Sequence, residues 1–217
     1  MKKLFAFVLA LCLLCGAAVA ESMPRILIAY VSRAGENYNV GVTDPDSASA
    51  AYAGYIEKGN TQIVAEIIAD LTGGDLYHIT TVEPYPDDYA SMLTRAQEEL
   101  DADARPELAG ELPNLDDYDV IMIGYPIWHG ATPRPVLTFL ESYDLSGKTL
   151  IPFNTHEGSG QSGTVSEIAA SAPNAEMLEG IAIQGKTAQE DADQTRELLS
   201  DWFLNFLRDF SLNENAE

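Results

Sequence analysis

Short apolar runs alternate along this chain with stretches of helical periodicity, and that alternation limits the possible folds more than any other feature. A strand buried on both faces reads as a continuous apolar run, whereas a helix lying on it repeats apolar residues three and four apart. "RILIAYVS" (Arg25 to Ser32) is the first such run. "TQIVAEIIADL" follows, with Ile63, Val64, Ile67, Ile68 and Leu71 on one helical face and Gly73-Gly74 to end it. "DLYHI" is a second strand, and a loop with Pro84 and Pro86 leads to a helix from Tyr89 to Leu100. "YDVIMIGYPIW" and "TLIPFN" give strands three and four, each followed by a helix, "PVLTFLESY" and "GTVSEIAASA". "MLEGIAI" is the fifth strand, with no long interruption. A last helix sets Leu198, Leu199, Trp202, Phe203, Phe206, Leu207 and Phe210 in a stripe that suits packing on a sheet.

Strands joined through helices predict an α/β fold with a doubly wound parallel sheet. Of the two common orders, 3-2-1-4-5-6 needs a sixth strand, so five strands predict 2-1-3-4-5. Ligands then bind at the carboxyl ends of strands one, three and four, where the winding reverses.

The first twenty residues stand apart. Lys2 and Lys3 precede an apolar run, Leu4 to Leu14, and Ala18-Val19-Ala20 offers a small-x-small cleavage site. The run is short for a membrane span, which needs about 20 residues. The pattern predicts a signal peptide over 1–20, cleaved near Ala20, one domain over 21–217, and a secreted, periplasmic or cell-envelope location. Both cysteines, Cys12 and Cys15, fall in that leader, so the remainder has no disulfide, thiolate nucleophile or cysteine-held metal. Lipidation at Cys15 would want a small residue before it, and Leu14 stands there. The chain carries a net charge of −22, and the leader holds two lysines and no acid. An acidic body of this kind repels nucleic acid and favours cationic partners or simple solubility.

The predicted rim carries three loops. After strand one come Ser32 and Arg33, then Gly59-Asn60-Thr61 opening a helix whose free N–H groups suit a phosphate. A plain helix cap would look the same, and the lysine of a nucleotide-binding P-loop is missing. After strand three comes "YPIWHG", Tyr125, Pro126, Ile127, Trp128, His129 and Gly130. After strand four comes "THEGSG", Thr155, His156, Glu157, Gly158, Ser159 and Gly160. With Gly163 this loop matches G-x-G-x-x-G, but the dinucleotide fingerprint follows the first strand, not the fourth. No acid–base pair or metal cluster is evident, so no catalytic residue is assigned.

Taken with "GNTQIVAEI", "YPDDYASMLTRAQEEL", "LDDYDVIMIGYPIWHG", "LSGKTLIPFNTHEGSG" and "LEGIAI", these loops resemble the flavodoxin-like family from about Arg25 to Gly185. The resemblance implies FMN held non-covalently, with its phosphate at Ser32, Arg33, Gly59, Asn60 and Thr61. The loops 125–130 and 155–160 would flank its ring. It also implies an electron-transfer protein working with a redox partner protein or a small-molecule acceptor. Two alternatives stay open: a flavodoxin-fold NAD(P)H:quinone oxidoreductase, and an exported binding module that has lost the flavin. Residues 33–58 interrupt the family's usually continuous phosphate loop, and their Ala, Gly, Ser and Asp content reads as loop.

Overall fold

The computed structural model describes residues 24–36 and 55–214; the leader and residues 37–54 lie outside it. In chain order the strands and helices are β1 (Ile26–Tyr30), β2 (Gly35–Glu36), β3 (Tyr55–Ile56), α1 (Asn60–Thr72), β4 (Asp75–His78) and α2 (Tyr89–Asp101). Then come β5 (Val120–Pro126), α3 (Arg134–Glu141), β6 (Thr149–His156), α4 (Thr164–Ser171), β7 (Glu176–Met177), β8 (Ile181–Gln184), α5 (Gly185–Glu190) and α6 (Ala192–Glu214).

The parallel sheet runs β4-β1-β5-β6, with β7 and β8 both paired to β6. This is the expected 2-1-3-4-5 winding with its last strand in two pieces. The reason for the break lies in β6. Leu178 donates its N–H to the Leu150 carbonyl (3.0 Å), and the next rung would need an N–H from residue 152, which is Pro152. Pairing resumes one residue out of step: Leu150 faces Met177, whereas Phe153 faces Ile181. The extra residue is a bulge, and Gly180 sits so near that a Cβ there would lie 2.1 Å from the Pro152 carbonyl oxygen.

Alternation along each strand sends side chains to two cores. Leu27, Ala29, Ile121, Ile123 and Tyr125 pack with Met92, Phe139 and Ile168 beneath α2, α3 and α4. Ile28, Tyr30, Met122 and Phe153 pack with Val64, Ile68, Ala188, Leu199 and Phe203 beneath α1, α5 and α6. The expected stripe on α6 is corrected at one place. Leu198 is 44% exposed, because it lies one position away from the buried Leu199 on a helix that packs by one face only. The side chains of Phe206, Leu207 and Phe210 lie outside the described residues. Gly73 ends α1 in the left-handed conformation (φ 73°), returning its N–H to the Ala69 carbonyl, as the Gly-Gly pair suggests. Among the described residues no helix is long and apolar enough to cross a membrane.

Candidate functional site

The carboxyl ends of β1, β5 and β6 meet the N-terminus of α1. β2 and β3 pair antiparallel, Gly35 with Ile56 and Glu36 with Tyr55, so the chain leaves and returns at neighbouring points. Ser32 and Gly59, far apart in sequence, are thereby brought into contact. A Cβ on Gly59 would lie 2.3 Å from both the Arg33 carbonyl oxygen and the Ser32 Oγ. Ser32 Oγ accepts the Gln62 N–H at 3.0 Å. Among the described residues no side chain caps the Asn60 and Thr61 N–H groups, and Gly59 at the cap position has none to offer. Those two donors, with the partial positive charge of a thirteen-residue helix behind them, suit an anion.

The same helix end is bolted to the fourth strand. Thr61 Oγ1 and Thr155 Oγ1 are buried and share a hydrogen bond of 2.8 Å. Beyond Thr155 the loop turns on its own bonds: Gly158 donates to His156 Nδ1 (2.9 Å), and buried Asn154 donates to the Gly160 carbonyl (2.9 Å). Gly158 has φ 137°, a conformation that any residue with a Cβ resists. Ser162 Oγ donates to the Gly130 carbonyl (2.7 Å), joining this loop to the one after β5.

That second loop is a tight two-residue turn. Trp128 and Ala131 exchange both backbone hydrogen bonds, with His129 (φ 51°) and Gly130 (φ 73°) between them. Positive φ at both central positions gives a turn of the I′ class. Ile127 donates its N–H to the Thr155 carbonyl (2.9 Å), holding Pro126 and Ile127 against β6. Tyr125 and Trp128 point into the core beneath α2 and α3 rather than standing free. The Tyr125 hydroxyl shares a 2.9 Å hydrogen bond with Thr164, and burial pushes its pKa up to about 12. Trp128 is 7% exposed and meets Tyr85 edge to face, ring centres 4.9 Å apart. His129 donates from Nε2 to the Leu93 carbonyl (2.9 Å).

The candidate residues therefore separate into groups. Ser32, Gly59, Asn60, Thr61 and Thr155 converge on one end of α1. The backbones of Pro126 to Gly130 and His156 to Gly160, with Ser159, form two neighbouring rims. Arg33 turns its guanidinium toward the Pro86 carbonyl (3.3 Å) and the Asp87 carbonyl. Glu157 turns inward: it is 9% exposed and lies against α5. Burial holds the His156 ring below the usual histidine pKa, so it is neutral at pH 7.

Sequence reading missed α5, Tyr85 and His78. Gln189 on α5 donates to Asn60 Oδ1 (2.8 Å) and to the Lys58 carbonyl (2.7 Å), orienting the first residue of α1. A six-residue helix is too short to show periodicity. His78 stacks on Tyr30 at 4.9 Å and donates Nε2 to the Ser32 carbonyl (3.1 Å), a contact only the β1–β4 register creates.

Fold and site together define an α/β protein of the flavodoxin type. The flavodoxin family model matches residues 49–205, and the chain belongs to that family. Among solved structures it is similar to a candidate flavoprotein from Bacteroides eggerthii, 29% identical over 82% of this chain and 96% of that one, with a TM-score of 0.59. It is also similar to a candidate flavoprotein from Bacteroides uniformis (26% identical, 82% and 99% covered, TM-score 0.60). A flavoprotein in complex with FMN from Lactobacillus acidophilus shares the fold at 20% identity and a TM-score of 0.54, over 77% of this chain and 97% of that one. No curated protein matches the sequence.

Proposed function

We propose that this chain is an exported, FMN-binding electron-transfer protein. The observation that carries the reading is the N-terminus of α1, where among the described residues no side chain caps the Asn60 and Thr61 N–H groups. It is held by Ser32 on one side and by the Thr61–Thr155 bond on the other, beside two backbone-lined rims. The residues present fit the phosphate of FMN: two N–H donors that no described side chain caps, a glycine where only glycine fits, and a helix dipole. Bound flavin supplies the redox chemistry, as cofactors do. The chain's share is to hold the phosphate, to border the ring with the loops after β5 and β6, and to surround it with acid. A net charge of −22 disfavours further negative charge on the ligand, which lowers its reduction potential, and steers toward basic or cationic redox partners. Export is supported by the leader pattern of residues 1–20, outside the described residues.

The experiment is titration of purified apoprotein, lacking residues 1–20, with FMN, riboflavin and FAD. The expected result is quenching of FMN fluorescence at stoichiometric protein and weaker binding of riboflavin, which lacks the phosphate. Equal affinity for FMN and riboflavin removes the role given to α1, and no flavin binding at all overturns the reading.

A further inference from the structure

Glu157, on the loop after β6, turns inward and is about nine-tenths buried. Among the described residues neither of its carboxyl oxygens has a hydrogen-bond partner. The Lys186 N–H and the Gln184 side-chain amide favour its anion without reaching hydrogen-bond geometry. Its place in the fold gives the orphaned group a meaning. Glu157 Oε1 lies 2.4 Å, and Asn60 Nδ2 2.1 Å, from the point a Cβ on Gly185 would occupy. The carboxyl therefore stands beside the side-chain amide of Asn60, the first residue of α1. Glycine at 185 leaves room for both groups.

The charges around it are already committed. Lys58, just before α1, pairs with Glu66 at 2.6 Å, and Lys186 on α5 pairs with Glu190 at 3.9 Å. Glu190 adds repulsion, and His156 on the same loop is neutral. Burial outweighs the help of Lys186 and Gln184 and pushes the Glu157 pKa up to about 7. A phosphate dianion at the N–H groups of α1 adds a further negative charge nearby. Two neighbouring anions in a partly dry site are mutually unfavourable, and the carboxyl can relieve this by holding a proton taken from solvent.

We infer that Glu157 is a positioning residue of the phosphate end of the site, and that capture of a phosphate-bearing ligand at α1 is coupled to a proton held on its carboxyl. The inference rests on the flavin reading above. It makes affinity fall as pH rises, because the ligand binds best to the protonated form. The protonated acid is also the form that can sit beside Asn60 without repelling the ligand.

The test measures FMN Kd for the wild type and Glu157→Gln between pH 6 and 9. It also counts protons by calorimetry at pH 7.5 in two buffers of different ionisation enthalpy, with riboflavin in parallel. The phosphate's own second ionisation lies near about pH 6 and is common to both proteins, so the difference between them isolates Glu157. The expected result is a wild-type Kd that rises about tenfold more across this range than that of the variant. The wild type should take up a fraction of a proton with FMN and none with riboflavin. Parallel pH profiles and equal proton counts overturn the inference while leaving flavin binding intact. Absence of FMN binding overturns the flavin reading and the inference with it. Should the variant fail to fold, the wild-type count alone decides: no proton taken up with FMN beyond riboflavin refutes the coupling.

Discussion

Gly59→Ala probes the junction on which the anion site depends. The backbone there (φ −67°, ψ 153°) is open to any residue, so conformational strain plays no part. On that count alone, alanine would stabilise by about 0.4–1 kcal/mol through the unfolded chain. Sterics oppose it, since the new methyl would lie 2.3 Å from the Arg33 carbonyl oxygen and from Ser32 Oγ, and 2.9 Å from the Arg33 carbonyl carbon. Backbone atoms cannot rotate away, so the segment must shift, at a cost typical of overpacking, about 1–3 kcal/mol. The shift also pulls Ser32 Oγ from the Gln62 N–H, a bond contributing about 1 kcal/mol. The net loss for the apoprotein is about 1–3 kcal/mol, or a Tm lower by about 3–10 °C for a domain of this size. Urea unfolding of the apoprotein reads the stability, and FMN fluorescence quenching reads the site. Affinity should fall by about tenfold or more, since displacement by 1.4 kcal/mol is one decade. An alanine variant as stable as the wild type, with unchanged FMN affinity, would refute the close approach of Ser32 and Gly59.

Other perturbations test other parts of the structure. Trp128→Ala should destabilise the apoprotein by about 3–5 kcal/mol, as loss of a buried aromatic does; unchanged apoprotein stability would mean the indole serves only the ligand. The Ser91 hydroxyl and N–H hold the Asp88 carboxyl below its ordinary pKa. Its stabilisation of α2 is therefore complete above the unfolded value and lost as pH falls through the lower folded one. The stability gap between wild type and Asp88→Ala should close in acid, and a gap constant down to about pH 3 would contradict the cap. Replacing residues 37–54 by Asn-Gly should close the β2–β3 ribbon with a two-residue turn and leave FMN affinity unchanged, since Gly35 already pairs with Ile56 and Glu36 with Tyr55. Loss of FMN affinity in that variant would show that the segment itself reaches the ligand.

Periodicity was enough for the winding. Ile63, Val64, Ile67 and Ile68 announced α1, and the apolar runs announced the strands and their order. The break in the fifth strand was not legible in "MLEGIAI", because its cause, Pro152, lies on the neighbouring strand. At the site, Gly59, Asn60 and Thr61 were legible because loop-to-helix chemistry is local. The bond from Thr61 to Thr155 and the burial of Glu157 under α5 were not, since each joins residues about a hundred positions apart or depends on a helix of one and a half turns. Arg33 was readable as a cation near the phosphate loop, but its partners, the carbonyls of Pro86 and Asp87, are set by tertiary packing.

The bulge at Gly180 has a bearing on how copies of this protein meet. An open sheet ends in two rows of unpaired backbone groups, and a long flat row invites another chain to add a strand. Here one border is β4, four residues long and opening on Asp75, whose carboxylate accepts from the Tyr118 hydroxyl. The other is cut by the bulge into segments of two and four residues that are out of register with each other. An incoming strand would find at most four consecutive rungs on either side among the described residues, on a body that repels its own kind by charge. Pro152, by withholding one N–H in the middle of the sheet, thus helps keep the chain from templating its own aggregation.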